Sequence, residues 1–214
     1  MRIALRQLLF FGVVFAVPCI AQKSWEMGGS AGYGFSLNGE ADNSRGKADT
    51  GIKHGIFASA YGGNHLGEYF SGELRYTYRV SDLFVSQGGT SARFNGDIHQ
   101  VHYDVLVHTN SRENRLRPYF AFGGGVRIFR GADVESSFQP LSQFVLLTRT
   151  SELKPMLSLG GGVRYAFKDW MDIRFDFRDY LTQFPTKVIQ PVPGVKVTGW
   201  LHDFMPMGGV GIRF

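Results

Sequence analysis

The residues best equipped for chemistry in this chain are a few serines, histidines and acids. Ser71 or Ser158, taken with His102 and Asp104, would supply a nucleophile, a base and an orienting carboxylate. A serine hydrolase brings those three groups to one point. Nothing in their spacing compels them to meet, so no catalytic residue is assigned and the chain is expected not to be an enzyme. Six histidines raise the question of a metal. His99, His102 and His108 share one stretch, but no two stand at ligand spacing, and His54, His65 and His202 fall near the ends of other stretches. They are expected to be polar fillers or interface residues, with no metal and no cofactor. A third candidate is the ladder Asp172, Arg174, Asp176, Arg178, which could line an ion path or plug one. The two GGGVR strings are not phosphate loops, because no helix and no Lys–Ser/Thr ending follows them.

Residues two apart share a face only on a strand, and from Ser24 onward the period is two. Eight stretches alternate in this way: 24–38, near 52–62, 69–80, 97–109, 117–131, 154–167, 171–182 and 200–214. The facing of the second is ambiguous. Alternation is strictest in the seventh, with Met171, Ile173, Phe175 and Phe177 against the Asp–Arg ladder. Connections 39–51, 81–96, 132–153 and 183–199 are long, whereas 63–68, 110–116 and 168–170 are short. This predicts an all-β fold, an eight-stranded antiparallel up-and-down barrel with long loops at one end and tight turns at the other.

The first 21 residues read differently. MRIALRQ carries Arg2 and Arg6, LLFFGVVFAVP is one apolar run, and CIAQ offers small residues at a cut after Ala21. That is the layout of a secretory signal, leaving residues 22–214 as one barrel domain. Beyond the cut there is no cysteine, hence no disulfide framework and no thiolate site. Loss of Arg2 and Arg6 lowers the formal charge from +5 to +3, too little to argue for nucleic acid. No later apolar run is long enough to cross a bilayer as a helix, so an exported chain of this kind enters a membrane as strands.

Two architectures fit alternating strands behind an export signal. A soluble barrel hides its apolar face, and a membrane barrel turns that face to lipid and fills its interior with polar groups. With the apolar face outward, the interior receives Glu26, Glu73, Asp104, Asp172, Asp176 and Asp203. It also receives Arg75, Arg127, Arg164, Arg174, Arg178 and Arg213. Six acids balance six arginines and no lysine is among them. The planar guanidinium is the cation suited to pairing carboxylates away from bulk water. An eight-stranded interior is just wide enough for side chains to fill. The expectation is therefore a transmembrane barrel plugged by an Arg–carboxylate network. The outward set is rich in Phe, Tyr and Trp, as membrane interfaces favour.

The chain ends on MGGVGIRF. Trp200, Phe204, Val210, Ile212 and Phe214 share one face of this last stretch, and Asp203, Met207 and Arg213 the other. A closed barrel has no free edge, so its last strand must pair with its first. This tail resembles the C-terminal signal by which assembly machinery recognises bacterial outer-membrane proteins. Together with LKPMLSLGGGVRYAF, IRFDFRDY and the alternation of loop lengths, it makes nearly the whole mature chain similar to the small bacterial outer-membrane β-barrel family, the group like the OmpA transmembrane domain. The resemblance implies residence in the cell outer membrane of a Gram-negative bacterium. It also implies contact with outer-membrane lipids and lipopolysaccharide, and engagement of the assembly machinery through the C-terminal strand. OmpA-type chains often continue into a periplasmic peptidoglycan-binding domain. This sequence stops at the closing strand, so wall anchoring is not carried over.

The expected role is structural or one of surface interaction, with loops available for binding. A narrow ion or small-solute channel is the first alternative. An outer-membrane lipid-modifying enzyme is the second, although the motif strings of the lipid A deacylase family are not evident. Residues 132–153 contain FVLL, which would either extend the barrel wall as a hairpin or present an exposed apolar patch to an extracellular partner.

Overall fold

The computed structural model describes residues 25–44, 46–135 and 138–214, so the expected signal and its cut after Ala21 lie outside the described residues. Among the described residues fifteen strands follow one another. They are β1 (Trp25–Leu37), β2 (Gly39–Asn43), β3 (Gly46–Ile52), β4 (Gly55–His65), β5 (Phe70–Val80), β6 (Leu83–Gln87), β7 (Thr90–Phe94) and β8 (Gly96–His108). After these come β9 (Leu116–Gly131), β10 (Val145–Leu147), β11 (Ser151–Lys168), β12 (Met171–Gln183), β13 (Ile189–Pro191), β14 (Lys196–Thr198) and β15 (Trp200–Arg213). Eight of them close an antiparallel barrel in the order β1-β15-β12-β11-β9-β8-β5-β4. No helix among the described residues is long and apolar enough to cross a membrane.

Alternation sets the facing of every barrel strand. Along β5, Ser71, Glu73, Arg75, Thr77 and Arg79 are buried in the lumen, while Phe70, Leu74, Tyr76, Tyr78 and Val80 are exposed outside. The ambiguous second stretch begins at Gly55 and puts Phe57, Ser59 and Tyr61 inward, Ile56 outward. Aromatics go inside here because arginines need platforms there: the Tyr61 ring lies 4.8 Å from the guanidinium carbon of Arg75 and 4.3 Å from that of Arg174.

The closing strand pairs with β1 from Glu26↔Arg213 to Leu37↔His202, and Phe214 exchanges both backbone bonds with Trp25 at 3.1 and 3.3 Å. The ladder lapses only between Gly32↔Met207 and Phe35↔Phe204, where Pro206 has no N–H to donate.

The GGGVR strings serve the interior. A Cβ on Gly123 would stand 2.0 Å from the Tyr103 carbonyl oxygen and 2.5 Å from Asp104 Oδ1, and one on Gly162 would meet Phe175 O at 2.5 Å. Glycine leaves the room that the large polar side chains take. Gly123→Ala is expected to destabilise the barrel by about 1–3 kcal/mol, as overpacking does. A urea midpoint equal to that of the parent protein would contradict this.

The long connections carry short strands of their own. β14, β2, β3, β6 and β7 form a five-stranded sheet, and β10 pairs with β13. A membrane needs about 9–11 residues per tilted strand, and β9 and β11 have 16 and 18. The wall therefore projects beyond the hydrocarbon on the long-connection side. There the inward residues turn apolar: Ile98, Phe129 and Leu201 join Ile52, Leu83, Val85, Phe94, Phe144, Val145 and Leu147 in one buried cluster.

Both readings of FVLL are corrected by this. Phe144, Val145 and Leu147 are buried, and β10 pairs with the β13 segment of the last connection instead of extending the wall as a hairpin. Within 132–153 the exposed apolar side chains are Val134, Phe138, the half-exposed Leu146 and the outward Leu153. The apolar run is spent on an internal cap, because strands from two connections can bury each other's side chains where neither could alone.

Candidate functional site

The lumen holds two charge clusters. In the larger, Arg174 Nη1 on β12 reaches Glu73 Oε2 on β5 at 2.6 Å and Glu26 Oε1 on β1 at 3.3 Å. β12 and β5 lie four places apart in the eight-membered ring, so the Arg174–Glu73 pair spans the barrel diameter. Glu73 also takes Arg75 Nε at 2.9 Å, and Arg75 Nη1 bonds Ser30 and Ser59 at 2.8 and 3.1 Å. Arg178 bridges Asp104 at 2.5 Å and Asp176 at 3.1 Å. Tyr119 ties the cluster together, donating to Asp176 and accepting from Arg174 Nη2 at 2.8 Å.

Towards the short-turn end, Arg164 pairs with Glu26 at 2.6 Å. Asp172 Oδ2 stands 4.0 Å from Arg164 Nε and 3.5 Å from Arg213 Nε. Arg213 sits at the rim and also bonds the Lys168 carbonyl oxygen at 3.3 Å.

The second cluster lies nearer the apolar cap. Asp203 is clasped by Arg79 and Arg127 and accepts from Ser36 Oγ at 2.9 Å. Arg127 Nε bonds Gln100 Oε1 at 3.1 Å.

Of the expected interior charges, Glu73, Arg75, Asp104, Arg127, Arg164, Asp172, Arg174, Asp176 and Arg178 are buried, as are Glu26 and Asp203. Arg213 belongs to the rim. Arg79 and Arg117 extend the set. Arg79 alternates with Glu73, Arg75 and Thr77, so its strand parity carried the signal; Arg117 precedes Tyr119 at the same parity. The buried tyrosines Tyr61, Tyr119 and Tyr180 were legible only once each facing was known.

Ser158, His102 and Asp104 meet in the lumen, but not in the order of a hydrolase relay. Ser158 Oγ donates directly to Asp104 Oδ2 at 3.1 Å with no imidazole between them. His102 Nε2 lies 3.5 Å from that same oxygen, which also holds Arg178. Ser71 instead bonds His65 Nδ1 at 2.8 Å and His108 Nε2 at 3.0 Å, towards the short-turn end of the lumen. Among the described residues, no group of three His, Cys, Asp or Glu is placed to hold a metal.

Outside, Trp200, Val210, Ile212 and Phe214 are exposed, and Phe204 stacks on Phe177 with ring centroids 6.0 Å apart. With Phe35, Leu74, Phe120, Leu157, Leu159 and Phe175 they form a broad apolar outer wall.

Comparison with solved structures agrees on the fold. Neisserial surface protein A is 12% identical, with 90% of this chain and 98% of that chain covered and a TM-score of 0.53. A major outer membrane protein from Thermus thermophilus is 14% identical, with coverage of 89% and 100% and a TM-score of 0.51. The outer membrane protein AlkL, solved in lipid bilayers, is 16% identical, with coverage of 94% and 95% and a TM-score of 0.50. No curated protein sequence matches. The profile of the outer membrane protein beta-barrel domain matches residues 8–198, most of the chain. With a lumen of paired charges inside an apolar wall, this chain belongs to the outer membrane protein beta-barrel family.

Proposed function

We propose that this chain is a plugged outer-membrane barrel with a structural and surface-interaction role, exported behind a cleavable signal and assembled through its C-terminal strand. The observation that carries the reading is the Arg174–Glu73 pair across the full width of the lumen. Arg178–Asp104 and Arg164–Glu26 reach across it as well, and the apolar cap lies above. An ion would have to separate these pairs and strip its own hydration in a space already filled. The long connections, organised as sheets, give the molecule a rigid outer surface on which a partner can be recognised. Outer-membrane lipids and lipopolysaccharide contact the apolar wall.

The test is current across a planar bilayer holding the folded protein, with insertion verified by protease protection. A silent membrane is expected. Reproducible unitary steps would overturn the plugged reading and make the charge clusters a conduction path. An enzymatic reading is disfavoured because Ser158 bonds Asp104 directly and Arg178 occupies the same carboxylate, and unchanged membrane lipids on expression are the expected companion result.

A further inference from the structure

Two charged groupings interrupt the apolar outer wall towards its long-connection end. One is closed: Asp179 and His202 face each other at 2.8 Å. The other is open-ended. On β5, β8 and β9, four polar side chains on the lipid-facing parity form a chain across three strands. Tyr76 Oη bonds His99 Nδ1 at 2.7 Å. His99 Nε2 stands 3.1 Å from Asp97 Oδ1, and Arg130 Nε stands 3.4 Å from that same oxygen. The Tyr78 ring packs 5.0 Å from the His99 ring and holds it in place. Asp97 is only 12% exposed, while the Arg130 side chain at the end of the chain is 51% exposed.

A polar group on the lipid face of a barrel is unfavourable at the bilayer midplane and tolerated near the interface. Tyr76 and Tyr78, amphipathic and exposed, mark that interface. Asp97 Oδ1 and Arg130 Nε form an ion pair without a hydrogen bond, and no nitrogen of the Arg130 guanidinium has a hydrogen-bond partner among the described residues. A guanidinium drawn to a carboxylate on its Nε side leaves its terminal nitrogens free as a fork, the geometry that takes a phosphate in two parallel hydrogen bonds. Below the fork lie outward Ile128, Val101 and Leu153, a surface for acyl chains.

We infer that Arg130 binds a lipid phosphate of the outer leaflet, that of lipopolysaccharide, and that Tyr76, His99 and Asp97 are positioning residues for its guanidinium. The occupant is a lipid because the fork opens on the wall beside an acyl-chain surface. It belongs to the outer leaflet because the long connections of outer-membrane barrels face the exterior. This gives a place to the lipid contact proposed above and rests on it. The bilayer current tests the plug alone, so the two can fail separately.

The experiment is a binding titration of the folded full chain, in an uncharged detergent, with purified lipopolysaccharide. The same lipopolysaccharide stripped of its phosphates and phosphatidylglycerol serve as parallel ligands. Arg130→Gln is expected to weaken binding of intact lipopolysaccharide about tenfold, the range of a hydrogen bond to a charged group. Arg130→Lys should regain part of it, and Tyr76→Phe should weaken it about threefold by freeing His99. The dephosphorylated form should bind the parent and Arg130→Gln proteins equally. All variants change exposed side chains, and heat-shifted mobility on a gel verifies that each is folded. Equal affinity of the parent and Arg130→Gln for intact lipopolysaccharide would overturn the inference, as would no measurable binding to the parent. Phosphatidylglycerol binding as tightly as lipopolysaccharide, with the same loss in Arg130→Gln, would overturn the assignment to the outer leaflet.

Discussion

Arg174→Ala is expected to lower the stability of the folded barrel by about 3–5 kcal/mol, the range for removing one partner of a buried ion pair. Arg174 touches Glu73, Glu26 and the Tyr119 hydroxyl, and its guanidinium lies against the Tyr61 ring. Truncation withdraws these contacts and the 3.5 Å pair with Asp176 at once. It leaves Glu73 to Arg75 and Glu26 to Arg164, each short of one positive neighbour. Asp176→Ala should act in the same direction but less, since Arg178 keeps Asp104 and Arg174 keeps Glu73. The control is Glu40→Gln in the exposed Lys47–Glu40 pair, 2.9 Å apart, where the loss should stay below about 1 kcal/mol. Urea unfolding in detergent, followed by gel mobility, measures all three. Midpoints that stay level for Arg174→Ala and Asp176→Ala would contradict an inward-facing, stability-determining network.

Deletion of Phe214 is expected to leave export intact and to strand most of the chain unfolded in the periplasm. The residue acts twice. Its backbone exchanges two hydrogen bonds with Trp25 at the seam where the barrel closes. Its exposed ring ends the outward series Trp200, Phe204, Val210 and Ile212, proposed as the assembly signal. Phe214→Tyr keeps both features and should assemble normally, whereas Phe214→Ala keeps only the backbone. Refolding into lipid vesicles without assembly machinery separates the two roles. There Phe214→Ala should fold nearly as well as the parent. Normal amounts of folded barrel from the deletion in cells would refute the signal.

Much of this barrel is written in strand parity. A period of two admits only two facings, and charged residues at alternate positions choose between them. Glu73, Arg75, Asp104, Arg174 and Arg178 could therefore be assigned to the interior one strand at a time, without knowledge of any partner. Residues 52–62 resisted because both faces mix small and aromatic side chains. Tyr61 goes inside only because Arg75 and Arg174, from two other strands, meet beneath its ring.

The sequence by itself determined the strand period, the alternation of long and short connections, the sign and type of the interior charges and the pairing of the last strand with the first. All of these follow from local alternation and from closure, which leaves no edge unpaired. Only the tertiary structure decided who pairs with whom. Arg174 and Glu73 are 101 residues apart and meet because β12 and β5 lie on opposite sides of the ring. It alone decided that Phe144, Val145 and Leu147 of FVLL are internal, since β10 becomes a strand only against β13. It alone decided that Tyr76, His99, Asp97 and Arg130 form one chain, because contacts across neighbouring strands depend on register. Register is a property of the closed sheet and of no single strand.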